Sequence, residues 1–169
     1  PYFRRARPFV RRLDRHVIAE RIDRKGVSVR PPDEHALHAV GKSLREEGIA
    51  SVAVVFMNSY ANPEHEQRAA AILSEYVDYV CTSASVLNEV REFERFSTCV
   101  VNAYLMPMMS SYATRLRGRF EDEGLTSPFY TIASNGGLLS ESLMHAMPVR
   151  TILSGPAAGI AAASHLANA

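Results

Sequence analysis

Two stretches of this sequence have the residue types and spacing of an anion site. Ser134-Asn135-Gly136-Gly137 follows the strand-like run Tyr130 to Ala133. Paired glycines let backbone N–H groups approach a ligand closely, as in anion-binding turns. The same four residues are also ordinary turn punctuation, and both readings stand at this level. Ser154-Gly155-Pro156-Ala157-Ala158-Gly159 opens a helix directly after the run Val149 to Leu153. A helix N-terminus carries free N–H groups and the positive end of the dipole, which favour anions. No Gly-Lys-Ser/Thr follows, so this is not a Walker loop. Its Ala- and Gly-rich continuation presents little side chain and lets neighbouring backbones come close. A tightly packed core helix has the same composition.

The other titratable groups are less pointed. Glu64-His65-Glu66 could suggest a metal site, but adjacent helical positions diverge by about 100°, so the three cannot converge on one ion. Acidic residues are favoured at a helix start for electrostatic reasons alone. Glu89, Arg91, Glu92, Glu94 and Arg95 read as a solvated mixed-charge face, or as part of a site between two lobes. His16, His35, His38, His145 and His165 show no spacing that marks a triad, and surface or capping roles are expected. Cys81 and Cys99 are too few for a disulfide framework and lack metal-ligand spacing, which fits two reduced buried thiols in a cytosolic protein.

The elements that position these residues alternate. His16–Asp23 reads as a strand, Arg24-Lys25-Gly26 as a turn, and Val27–Arg30 as the returning strand of a hairpin. Pro31-Pro32 ends the sheet. Asp33 then caps a helix running to about Gly48, with Leu37, Val40 and Leu44 on one face. The apolar run Ser51–Met57 predicts a buried central strand. Asn62-Pro63 starts a helix to about Tyr76, with Ala69, Ile72, Leu73 and Tyr76 inward. Tyr79–Ser83 reads as a strand, and 94–123 as one long helix. Along it Phe96, Val100, Tyr104, Met108, Tyr112, Leu116 and Phe120 repeat every four residues, with a kink predicted at Pro107 and a stop at Gly124. A strand over 130–133, a short helix over 140–146, a strand over 149–153 and a final helix complete an α/β pattern, a mixed sheet with covering helices.

The 169 residues fit one domain or two small ones, and a composition 47% hydrophobic and 22% charged excludes a mainly disordered chain. No apolar run is long enough for a transmembrane helix and no signal-peptide pattern is present, so a cytoplasmic location is expected, with no membrane partner. Nine Arg and one Lys against three carboxylates give residues 1–30 a charge of +7, leaving −6 for the rest of a chain whose net charge is +1. A basic arm can mark nucleic-acid binding. Here the aromatic residues beside it are only Tyr2, Phe3 and Phe9, and Arg outnumbers Lys 17 to 2 throughout. No nucleic-acid partner is therefore expected.

Several phrases acquire meaning together. Glu20-Arg21-Ile22-Asp23 precedes the Ser51–Met57 run, and Asn58-Ser59-Tyr60-Ala61-Asn62-Pro63-Glu64-His65-Glu66 follows it. Glu94-Arg95 with Ser97-Thr98, Asn102-Ala103-Tyr104 with Pro107, and Ser134-Asn135-Gly136-Gly137 come next. Pro148-Val149-Arg150-Thr151 then runs into Ser154–Gly159. In this order and spacing the chain resembles the hydantoinase A/5-oxoprolinase family, which includes N-methylhydantoinase A and the related subunits of acetone and acetophenone carboxylases. The resemblance runs from about Arg12 onward.

The resemblance implies an actin-like (ribonuclease H-like) ATPase fold and an enzyme that uses ATP and Mg²⁺ to activate a carbonyl. Residues 1–84 would end the N-terminal domain. Residues 85–169 would begin the central domain, with its long helix and the helix connecting two lobes. The substrate would be a cyclic amide such as a hydantoin or 5-oxoproline, opened through a phosphorylated intermediate. The alternatives are a ketone carboxylase subunit and a non-catalytic binding or assembly domain. A hydantoinase B-type subunit or domain would be the partner. By motif, Ser134, Asn135, Gly136, Gly137, Ser154, Gly155, Pro156, Ala157 and Gly159 would be the cofactor-binding positions, adjacent to nucleotide or between lobes. The resemblance gives no catalytic residue and no metal ligand.

The superfamily's two Asp-x-Gly-Gly-Thr phosphate loops are absent. Gly136-Gly137 is the only Gly-Gly, and Ile132-Ala133 stands where many relatives carry Met-Gln. With Pro1 in place of Met, this suggests a slice from the middle of a larger enzyme, inactive and without tight ATP binding alone. Its small-residue terminal helix, deprived of a partner lobe, would pair with another copy.

Overall fold

The computed structural model describes residues 8–167, so Tyr2, Phe3 and the first arginines of the basic arm lie outside the described residues. The chain forms two compact units, Pro1–Ala103 and Tyr104–Ala169. Its described strands make three separate two-stranded sheets rather than one continuous mixed sheet.

The first unit opens with a 3-10 turn (Arg12–Asp14) and an antiparallel hairpin, β1 (Arg21–Ile22) and β2 (Ser28–Arg30). The predicted strand over 16–23 shrinks to its last residues. Asp23 organises the turn, its Oδ1 accepting from Lys25 N at 2.8 Å and Val27 N at 2.9 Å. Helix α1 (Glu34–Glu46) is capped by Asp33, whose Oδ1 accepts from Ala36 N at 3.0 Å, and it buries Leu37, Gly41 and Leu44.

A parallel β–α–β unit follows: β3 (Ser51–Val54), α2 (Glu64–Leu73) and β4 (Tyr79–Thr82), with Ser51 opposite Tyr79 and Val54 opposite Thr82. Leu37, Leu44, Val54, Ala69, Ile72, Leu73 and Val77 form the core, with Val40 and Tyr76 packed on it. The predicted central strand over 51–57 is corrected. It ends at Val54, and only that residue of it is buried. The cause is local: Phe56 N donates to the Glu66 carboxylate at 2.8 Å, and Asn58 turns the chain at φ 59°. A single turn, α3 (Ser83–Val86), leaves β4, capped by Thr82.

Helix α4 (Glu92–Asp122) runs unbroken through Pro107 and carries the chain into the second unit. Proline cannot donate to the carbonyl four residues earlier. That carbonyl, of Ala103, instead accepts from Ser51 Oγ at 2.6 Å. The four-residue stripe does not form one buried face: Tyr104, Met108 and Tyr112 are exposed. At 3.6 residues per turn, each four-residue step drifts about 40° around the helix. The buried positions are Arg95, Cys99, Asn102, Ala103, Met106, Ser110 and Ala113, which keep the true helical period. At the far end, Leu125 N donates to Phe120 O at 2.7 Å and Gly124 N to Glu121 O at 2.9 Å, the Schellman closure expected of a glycine stop.

The second unit holds a hairpin that the sequence reading reduced to one strand, β5 (Tyr130–Ile132) with β6 (Leu138–Ser140). Ser140 Oγ then accepts from Leu143 N at 3.3 Å and caps α5 (Glu141–Ala146). Phe120 and Phe129 meet edge to face, with centroids 5.4 Å apart. The predicted strand over 149–153 is a 3-10 turn, Pro148–Thr151, closed by Thr151 Oγ1 donating to Pro148 O at 2.7 Å. Helix α6 (Ser154–Ala167) buries no residue, so it is not a core helix of this chain.

Candidate functional site

Ser134–Gly137 is the tip of the β5–β6 hairpin. Gly136 has φ +82°, which only glycine adopts at no steric cost. The tip satisfies itself: Gly136 N donates to Ala133 O at 2.9 Å, Gly137 N to Asn135 Oδ1 at 3.0 Å, and Ala133 N to Gly137 O at 2.8 Å. Ser134 turns toward the segment ahead of α6. Its N and Oγ both donate to Arg150 O at 2.7 Å, and Oγ also reaches Ile152 O at 3.0 Å. The two stretches singled out from sequence are thus linked by Ser134. An open cleft of about 230 Å³ lies against Ser134, Asn135, Gly137, Leu138 and Arg150.

At the start of α6, Ser154, Ala157 and Ala158 are half-buried, whereas Gly155, Pro156 and Gly159 are exposed. Leu153, just ahead, has φ 64° and Ala157 N donates to its carbonyl at 3.2 Å. Because the N–H groups of Ser134, Gly136 and Gly137 are occupied within the chain, these residues alone do not make a phosphate cradle. Arg150 is the single basic residue lining the cleft.

The first unit contains polar constellations that the sequence reading missed. His65 is 4% exposed. Its Nδ1 lies 2.8 Å from Glu20 Oε2 and its Nε2 lies 2.8 Å from Ser28 Oγ, which joins the β1–β2 hairpin to α2. Glu66 is fully buried, and its carboxylate accepts from Phe56 N, Ser83 Oγ and Ala84 N at 2.6–2.9 Å. Arg95, also fully buried, donates to Ser83 Oγ at 3.1 Å, Phe56 O at 3.1 Å and Glu89 O at 2.6 Å. Its guanidinium stands 5.5 Å from the Tyr60 ring centroid and 5.2 Å from that of Phe96.

Glu66 and Arg95 are therefore not solvated charges at helix starts. They hold the loops after β3 and β4 in place, and a buried charge requires such complete pairing. Only the burial of 65 and 66, not their partners, had a signal in the sequence: extending the inward positions Ala69, Ile72 and Leu73 back one turn lands on them. Glu64 stays exposed, so the Glu64-His65-Glu66 side chains go three separate ways. Among the other histidines, His38 Nδ1 meets Tyr76 Oη at 2.8 Å and His145 Nδ1 meets Ser110 Oγ at 3.0 Å.

Known proteins resemble this chain in sequence and in fold. Residues 2–77 match the model for the hydantoinase/oxoprolinase N-terminal region, and residues 95–169 match the hydantoinase/oxoprolinase model. Caprolactamase subunit alpha of Pseudomonas jessenii is 41% identical over 145 residues, 85% of this chain and 21% of that protein. The crystal structure of ATP-dependent caprolactamase from the same organism superposes with a TM-score of 0.76 at 42% identity, over 83% of this chain and 20% of that one. 5-Oxoprolinase 1 of Arabidopsis thaliana is 34% identical over 143 residues, 80% of this chain and 11% of that protein. A nucleotide-free acetone carboxylase structure superposes with a TM-score of 0.74 at 26% identity, over 89% of this chain and 22% of that one. The chain thus spans a quarter or less of the length of the curated relatives it matches. With both family regions present in order and the fold shared, this chain belongs to the hydantoinase/oxoprolinase family.

Proposed function

We propose that this chain works as part of a longer ATP-dependent enzyme that hydrolyses a cyclic amide such as a hydantoin, 5-oxoproline or another lactam. The observation that carries this reading is the 41% identity to caprolactamase subunit alpha across most of the chain. In this proposal ATP with Mg²⁺ supplies phosphoryl activation of the amide carbonyl. In this reading the fold is of the actin-like ATPase type, residues 1–84 end the N-terminal domain and residues 85–169 begin the central one, a division of the sequence that differs from the compact units divided after Ala103. Ser134–Gly137 and Ser154, Gly155, Pro156, Ala157 and Gly159 then stand beside the nucleotide or between lobes. The hairpin-tip residues act by placing backbone, since the N–H groups of Ser134, Gly136 and Gly137 are occupied within the chain and leave direct phosphate contacts to other parts of the enzyme. A hydantoinase B-type subunit or domain is the proposed partner, the setting is cytoplasmic, and an isolated α6 pairs with a second copy. Among the described residues no helix is long and apolar enough to cross a membrane.

The acetone carboxylase superposition favours a second reading, a ketone carboxylase subunit. The deciding experiment supplies the full-length protein and its B-type partner with ATP and either cyclic amides or ketones plus bicarbonate. ADP release coupled to ring opening supports the first reading, and coupling only to carboxylation replaces it with the second. ADP release with neither substrate class counts against both.

A further inference from the structure

We propose that Cys81 and Cys99 are a modification site: a dithiol that a peroxide oxidises to an intramolecular disulfide, latching β4 to the early turns of α4. The two sulfurs stand 3.6 Å apart, although the residues are 18 positions apart in sequence. Each thiol also leans on the other's strand or helix, with Cys81 Sγ 3.5 Å from Cys99 O and Cys99 Sγ 3.7 Å from Cys81 O. The fold therefore already brings the two sulfurs into contact, from which a bond of about 2.05 Å can form.

The geometry also orders the chemistry. Cys81 retains 6% of its surface and Cys99 none, so an entering peroxide meets Cys81 first. The hydrogen bond shared with Cys99 holds the Cys81 thiol below its ordinary range, while the same contact and burial push Cys99 up. The Cys81 thiolate attacks a peroxide oxygen and breaks the O–O bond. This yields the Cys81 sulfenic acid and, with one proton, water. Cys99 sulfur then attacks the Cys81 sulfur, loses its proton and expels the hydroxyl as a second water. In sum, two thiols and one hydrogen peroxide give one disulfide and two waters.

The test treats the protein with hydrogen peroxide, alkylates it under denaturing conditions and maps the peptides. The expected result is no free thiol, an intact mass lower by two hydrogens, and a peptide linking Cys81 to Cys99 that dithiothreitol separates. Cys81→Ser and Cys99→Ala should each abolish the linked peptide. In a dithiothreitol redox titration the link should persist at a roughly tenfold more reducing ratio in the folded than in the urea-unfolded protein. Full alkylation of both thiols after peroxide, sulfinic acid without a cross-link, or equal redox midpoints for folded and unfolded protein would each overturn the proposal.

Discussion

At the scale of single residues, Gly41 shows how packing reverses a propensity. Replacing glycine by alanine inside a helix ordinarily gains about 1 kcal/mol. A Cβ at Gly41, however, would lie 2.4 Å from Tyr76 Cδ2, and the Tyr76 ring is held by His38 Nδ1 at its hydroxyl. Gly41→Ala should therefore lose about 1–3 kcal/mol of stability, read as a lower urea midpoint. Glu141 carries a pH dependence. The Arg117 guanidinium hydrogen-bonds its carboxylate and holds that carboxyl below the usual range. A depressed folded value contributes stability above the unfolded carboxylate value of about 4.3, and this is lost as pH falls through the folded value. Thermal midpoints measured from neutral to acid pH should fall below about pH 4, and Glu141→Gln should flatten part of that fall.

At the scale of elements, α4 and β3 share one exchange. Ser51→Ala removes the hydroxyl that pairs with the Ala103 carbonyl and should cost about 1–2 kcal/mol. In a Pro107→Ala background the restored helical N–H can take that carbonyl, so Ser51→Ala should cost less. Equal costs in the two backgrounds, by urea titration, would sink this account. The same element shows what was legible in sequence. Helix ends marked by Asp33, Asn62 and Gly124 were readable, because caps are local chemistry. The inward side of α4 was not, because a four-residue repeat imitates a helical stripe while rotating away from it. Nor was the buried Glu66–Ser83–Arg95 network, whose members meet only through tertiary folding. The 130–140 hairpin escaped because β6 is three residues long and two of them are leucines.

At the scale of the whole molecule, the site positions lie in a self-satisfied hairpin tip and a partly exposed helix start. The chain alone should show no micromolar ATP binding by calorimetry, and a clear isotherm would refute this division of labour. One consequence concerns sequence drift. The buried side of α4 is lined at Ala103 and Ala113 by small residues, with 0–5% exposure. Volume rather than hydropathy is then the quantity under constraint. Such positions can wander among Ala, Ser, Cys and Thr over evolutionary time, while a leucine there would force neighbouring backbone apart. A helix of this kind diverges in letters long before it diverges in place.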